Sequence, residues 1–202
     1  MTSSRPSSVT KPRRRADAER SIAQIMDAAL DALASDSEAS MTEIARQAGV
    51  VRATIYVHFP TREALIEAVT ERAISEVGAA IAEAEPARGE PVEALLRVVS
   101  TTWQKLGRYH PLVAINTQLP AAELRRRHAA VLGALEPLVR RGQKEGAFGT
   151  EVPAAWHLSM LLALMHAASA EVQAGRLSAA EAENALADTV LGALSSNAGS
   201  AA

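Results

Sequence analysis

Between Ser40 and Arg62 the chain reads SMTEIARQAGVVRATIYVHFPTR, and its punctuation leaves room for little but short helices set at an angle. Ser40 followed by Glu43 is the Ser-x-x-Glu pattern of a helix start. There a hydroxyl and a carboxylate satisfy N–H groups that the first turn leaves bare. Ile44, Ala45 and Ala48 give this helix one small apolar face. Gly49 supplies the exit, because glycine takes positive φ without a Cβ clash. The next helix is predicted from about Arg52 to Phe59, and it stops ahead of Pro60, which cannot extend it. Two short helices across a tight turn make a helix-turn-helix, whose second helix fits the DNA major groove.

Helical spacing governs the rest of the chain. Residues 1–16 are rich in Ser, Pro and Arg and are expected to be disordered. Lys11, Arg13, Arg14 and Arg15 form a basic cluster there, either an arm toward phosphates and the minor groove or a solvated tail. Ile22, Ile25, Ala29 and Leu33 predict a helix over 17–34. Thr61 caps a long helix carrying Leu65, Ile66, Val69, Ala73 and Val77, which Glu85 to Gly89 ends. Further helices are predicted over 91–108, 110–118, 121–145 with a kink at Pro137, 153–174 and 178–194. Ser178 and Glu181 form a second capping box. The expected fold is all-α with about nine helices and no strand. Its expected parts are a basic arm (1–16), a three-helix DNA-binding domain (17–64), a larger regulatory and dimerisation domain (65–194) and a disordered tail (195–202).

The segments Thr42–Val50, TEIARQAGV, and Thr54–Leu65, TIYVHFPTREAL, resemble the TetR family of bacterial transcriptional regulators. That resemblance implies a homodimer in which three N-terminal helices bind double-stranded operator DNA. It also implies that a larger helical domain binds a small-molecule inducer and dimerises. Thr42 lies where the family's second helix meets the DNA backbone. Tyr56 and His58 match the family's Tyr-x-His positions near DNA. Val57 and Val51 stand where relatives often carry larger or polar residues, and a valine at position 51 has no oxygen with which to cap a helix.

The residues themselves suggest roles on the recognition helix. Arg52 has the reach and donors for a guanine edge or a phosphate, and Ala53 suits a thymine methyl. Thr54 either faces DNA or turns inward. Tyr56 reaches a base edge or the backbone, and His58 a phosphate or the helix end. Ile55 and Phe59 belong to the core. Arg62, at the start of the fourth helix, is expected to clamp a phosphate.

The later helices give a softer signal. Trp103, Tyr109, His110, Trp156 and Met160 are candidate ligand contacts, with His157 and His166 beside them, since small-molecule sites are mostly apolar with a few polar groups. Core packing is the competing reading for each. The 153–174 helix is apolar on every side, and the last helix carries a stripe of Ala182, Leu186, Val190 and Ala193. These two are expected to close a four-helix dimer bundle about a two-fold axis.

Composition narrows the remaining classes. The chain has no cysteine, which excludes disulfides and thiolate metal sites and fits a cytoplasmic protein. No His pair has metal-site spacing, no phosphate-binding glycine loop or nucleophile elbow is visible, and no cofactor or enzymatic activity is expected. Charged residues interrupt every apolar run, so no membrane span is expected. Residues 1–62 hold nine Lys or Arg against seven Asp or Glu, whereas the whole chain holds 21 against 23. A basic head on an acidic body suits nucleic acid at one end. The expected function is ligand-responsive transcriptional regulation, most simply repression. The alternative is a helical ligand- or partner-binding dimer whose DNA-binding head has lost function.

Overall fold

A computed structural model of the protein describes residues 10–116 and 119–195. Among the described residues all regular structure is helical, with ten α-helices and one short 3-10 helix. In chain order they are α1 (Thr10–Ser35), α2 (Met41–Gln47), α3 (Arg52–His58), α4 (Arg62–Glu83) and α5 (Pro91–Leu106), then the 3-10 turn Gly107–Tyr109. There follow α6 (His110–Asn116), α7 (Ala121–Arg127), α8 (Ala129–Lys144), α9 (Ala154–Gln173) and α10 (Ala179–Leu194). The chain divides into two compact units between Val69 and Thr70, within α4 and later than the expected boundary at residue 64.

In the first unit, α1 packs on α2 and α2 on α3, and the buried residues are Ile25, Ala29 and Leu33 of α1, Met41, Ile44 and Ala45 of α2, Ile55 of α3, Phe59, and Leu65 and Val69 of α4. The helix begins at Thr10, not at the expected Asp17. Proline is tolerated in a first helical turn, so Pro12 does not delay the start, and the Arg and Ala residues that follow favour helix. The expected disorder of residues 10–16 is therefore corrected to helix. Residues 1–9, and 196–202 of the expected tail, lie outside the described residues.

The second unit packs α5, α8, α9 and α10 around Leu95, Val98, Trp103, Leu135, Leu138, Phe148, Leu158, Leu186 and Val190. The expected 121–145 helix is divided at His128, giving ten helices where nine were expected, and α8 runs through Pro137 without a break. The break has a local cause. The Leu124 carbonyl takes both the His128 backbone N–H at 3.2 Å and the imidazole Nδ1 at 2.9 Å, closing the α7 end with a side-chain cap. Ser178 completes its capping box in both directions with Glu181. Ser40 completes only half of its own: its Oγ accepts from the Glu43 N–H at 3.2 Å, while the Glu43 carboxylate turns to Arg46 at 3.3 Å.

Candidate nucleic-acid interface and ligand cavity

The turn between α2 and α3 is built on Gly49, at φ +67°. The Val50 N–H donates to the Ala45 carbonyl at 3.0 Å, and the Gly49 N–H to the Arg46 carbonyl at 3.2 Å. This crossed pair is a Schellman closure, and it needs the left-handed residue that glycine supplies. Val51 then opens α3 with no side-chain cap, as its chemistry dictates.

Along α3 the side chains separate cleanly. Ile55 is buried and Phe59, just past the end, is buried beside it. Thr54 and His58 are part-buried, and the His58 ring tilts against Phe59 with centroids 6.5 Å apart. Arg52, Ala53, Tyr56 and Val57 face outward, and so does Thr42 of α2. The Arg52 guanidinium lies over the Tyr56 ring, 5.5 Å from its centre, which holds both side chains on one stripe.

Arg62 departs from the expectation of a phosphate clamp. It is part-buried, its Nε donates to the Ala39 carbonyl at 3.2 Å, and its Nη2 donates to the Ser37 carbonyl. The guanidinium thus straps the α1–α2 connector to the start of α4. A fork of fixed donors suits two neighbouring carbonyls well, and those donors are turned inward.

A cavity of about 90 Å³ lies within the second unit. Its wall is apolar: Ala73, Val77, Ile81, Val98, Val99, Leu112, Val131, Leu135, Leu161 and Met165 are among its lining residues. Five polar side chains interrupt it, namely Thr70, Thr102, Tyr109, His128 and His166. Thr102 Oγ1 and His166 Nδ1 are buried with no hydrogen-bond partner, and the Tyr109 hydroxyl is buried near the Glu76 carboxylate. Burial raises the Tyr109 phenol pKa, and the nearby Glu76 carboxylate raises it further. Burial, and to a lesser degree His128, pushes the His166 imidazole down to about 4. His128 is also held below its ordinary value by burial, against the opposing pull of its bond to Leu124. At neutral pH the polar spots in this cavity are therefore uncharged hydrogen-bonding groups.

Comparison with known proteins fits this two-part organisation. Residues 25–69 match the model of the bacterial regulatory proteins, tetR family. The HTH-type transcriptional repressor LfrR of Mycolicibacterium smegmatis is 35% identical over 109 residues, 51% of this chain and 57% of that repressor. That match thus spans little more than half of the curated relative's length. The solved structure of the TetR-like regulator LfrR from Mycobacterium smegmatis in complex with proflavine covers 87% of this chain and 97% of its own, at 26% identity and a TM-score of 0.68. FadR from Bacillus subtilis, solved in complex with stearoyl-CoA, covers 85% of this chain and 98% of its own, at 21% identity and a TM-score of 0.67.

Over residues 25–69 the chain is similar to the tetR family of bacterial regulatory proteins, and its fold is that of TetR-like regulators. Its helix-turn-helix is the segment that the family model matches, and the TetR-like fold extends over α5 to α10.

Within this TetR-like fold the expected ligand contacts lie mostly apart from the cavity. Of the five, only Tyr109 lines the cavity. Trp103 is buried in the core, where its Nε1 donates to the Ala179 carbonyl at 2.9 Å. His110 is buried against the Trp103 ring, with Nδ1 3.1 Å from Ser169 Oγ. Met160 packs on the edge of the core. Trp156 is 61% exposed and is not among the residues lining this cavity. Of the two further histidines, His166 lines the cavity, while His157 is buried with Nε2 3.1 Å from the Gly149 carbonyl. Thr70, Ala73, Thr102 and His128 also line the cavity and were not among the expected ligand contacts. The one signal for them was small or polar residues on otherwise apolar helix faces, as with Thr102 after Val98 and Val99 on α5.

Proposed function

We propose that the protein is a ligand-responsive, dimeric repressor that acts in the cytoplasm. The first unit binds double-stranded operator DNA, and an apolar or amphipathic small molecule entering the second unit releases it. The outward face of α3, carrying Arg52, Ala53, Tyr56 and Val57 behind a glycine turn, is the observation that carries this reading. Thr42 and His58 flank that face and contact the backbone, and Thr54 fixes the helix start. Arg62 acts indirectly, by holding the connector.

The cavity supports the ligand arm. Its lining is apolar, with Thr102 Oγ1 and His166 Nδ1 left without partners, so the favoured ligand is largely apolar with one or two hydrogen-bonding atoms. Its volume of about 90 Å³ is well below the ~300 Å³ of typical ligand sites, so binding must widen it. A ligand that prefers the widened state shifts the protein toward that state, and DNA release follows if the widened state fits the operator less well.

The dimer is taken to close through α9 and α10, but not through the expected α10 stripe, since Ala182, Leu186 and Val190 are buried in the subunit's own core. Buried residues of α9 occupy one face, and Trp156 leaves a second apolar face uncovered. An isologous interface there fits the symmetry of most soluble oligomers.

The test is a fluorescence-anisotropy titration of duplexes from the gene's own upstream region, with and without hits from an apolar compound panel. Affinity for one duplex should fall steeply with salt. A ligand should weaken operator binding by the factor by which operator weakens ligand binding. Ligand binding without any sequence-selective DNA binding would favour the alternative, a regulator whose head has lost function, for which the uncapped start of α3 is the motive.

A further inference from the structure

The recognition helix α3 is seven residues long and exposes an unusual amount of apolar surface. Val51 is 70% exposed, Val57 79% and Tyr56 39%. Among the described residues the only other exposed large hydrophobic side chain is Trp156. Ala53 and Val57 stand four residues apart, so they form one stripe along the helix; Arg52 and Tyr56 form the next.

Local folding gives no reason for the two valines. A β-branched residue is a poorer helix former than Ala, Lys or Glu, and neither valine adds to the core. Val51 also leaves the helix start without a side-chain cap. Single exposed apolar residues are ordinary on a protein surface. Here they gather on the outward face of a helix-turn-helix, with Arg52 as the one long cationic side chain among them.

In the major groove one group rewards an apolar contact, the C5-methyl of thymine. We propose that Val57, with Ala53 beside it and Val51 at the helix start, reads thymine methyl groups. The operator half-site is then selected by methyl contacts as well as by hydrogen bonds from Arg52. This rests on the DNA-binding reading above and goes further, since it names the base chemistry that the helix recognises.

Replacing thymidine by deoxyuridine removes the methyl and leaves Watson–Crick pairing intact. A preferred duplex is first selected from a random pool with the full-length protein. Each thymidine is then replaced singly, and affinity is measured for wild type, Val57→Ala and Val51→Ala. Both valines are exposed, and circular dichroism confirms the fold of each variant. One or more replacements should weaken wild-type binding about fourfold, the equivalent of ~0.8 kcal/mol for one buried methyl-sized group. The same replacement should have little effect on the variant lacking the valine that reads it. If no duplex is selected, the DNA-binding reading fails and the inference falls with it. If a duplex is selected and no thymidine responds, the DNA-binding reading stands and methyl recognition is overturned. If thymidines respond equally in wild type and both variants, the assignment to these valines is overturned.

Discussion

The His128 and His166 rings meet edge to face on the cavity wall, with centroids 5.4 Å apart. Burial holds both below the usual histidine range, His166 at about 4, and each would repel a proton on the other. The unfolded chain keeps a histidine pKa near ~6.5. Above that pH both states are neutral, and these residues do not affect stability. As pH falls through ~6.5 the unfolded state takes up protons that the folded state refuses, so stability is lost progressively down to about 4. The thermal midpoint should therefore drop between pH 7 and pH 5. His166→Phe should flatten that drop, and an equally steep drop in the variant would rule out His166 as a cause.

Gly142 and Phe148 are packed so closely that a Cβ added at Gly142 would lie 2.1 Å from the ring. Phe148 is buried, and the Gly142 carbonyl accepts the N–H groups of both Ala147 and Phe148, so the two backbones are tied together at the contact. Gly142→Ala should cost about 1–3 kcal/mol by overpacking. Gly133→Ala on the same helix meets nothing within 4 Å and should stabilise by up to ~1 kcal/mol through helix propensity. Denaturant titration of the two variants checks the contrast in sign.

Arg62 separates a structural from an electrostatic role at the DNA end. A phosphate clamp, once removed, would lower the salt slope of DNA binding by about 1. A strap on the Ala39 and Ser37 carbonyls gives a different outcome for Arg62→Ala. The first unit should lose about 1–3 kcal/mol, affinity for all duplexes should fall together, and the salt slope should stay as in wild type. Affinity measured at several salt concentrations decides between the two.

Local chemistry explains what could be read in the sequence. The caps at Ser40, Thr61 and Ser178, the turn at Gly49 and the stop before Pro60 act within a few residues, and each is where the sequence places it. The inward ridge of Ile55 and Phe59 follows from periodicity. The cavity was not legible because it is a property of several helices at once. Aromatic and histidine side chains suggest a pocket, yet Trp103 and His110 are consumed by bonds to residues more than fifty positions away. The inward bonds of Arg62 were not legible for the same reason: its carbonyl partners lie on a connector with no sequence signature.

Ala73 and Trp156 together test the division of labour in the second unit. Ala73 lines the cavity, and Trp156 is exposed on α9, away from it. Ala73→Leu places a larger side chain where the cavity holds only about 90 Å³. It should weaken binding of the best compound from an apolar panel by about tenfold or more, equivalent to ~1.4 kcal/mol, while dimerisation and operator affinity stay as in wild type. Trp156→Ala should do the reverse. Tryptophan is enriched among residues whose truncation costs ~2 kcal/mol or more at interfaces, so dimer dissociation should rise about thirtyfold. Ligand affinity should hold. Operator binding should weaken at low protein concentration and recover as concentration drives the subunits together. Sedimentation equilibrium and calorimetry on both variants read the two effects separately. A Trp156→Ala protein that dimerises as wild type does would remove this face from the interface, and an Ala73→Leu protein with undiminished ligand affinity would move the ligand out of this cavity.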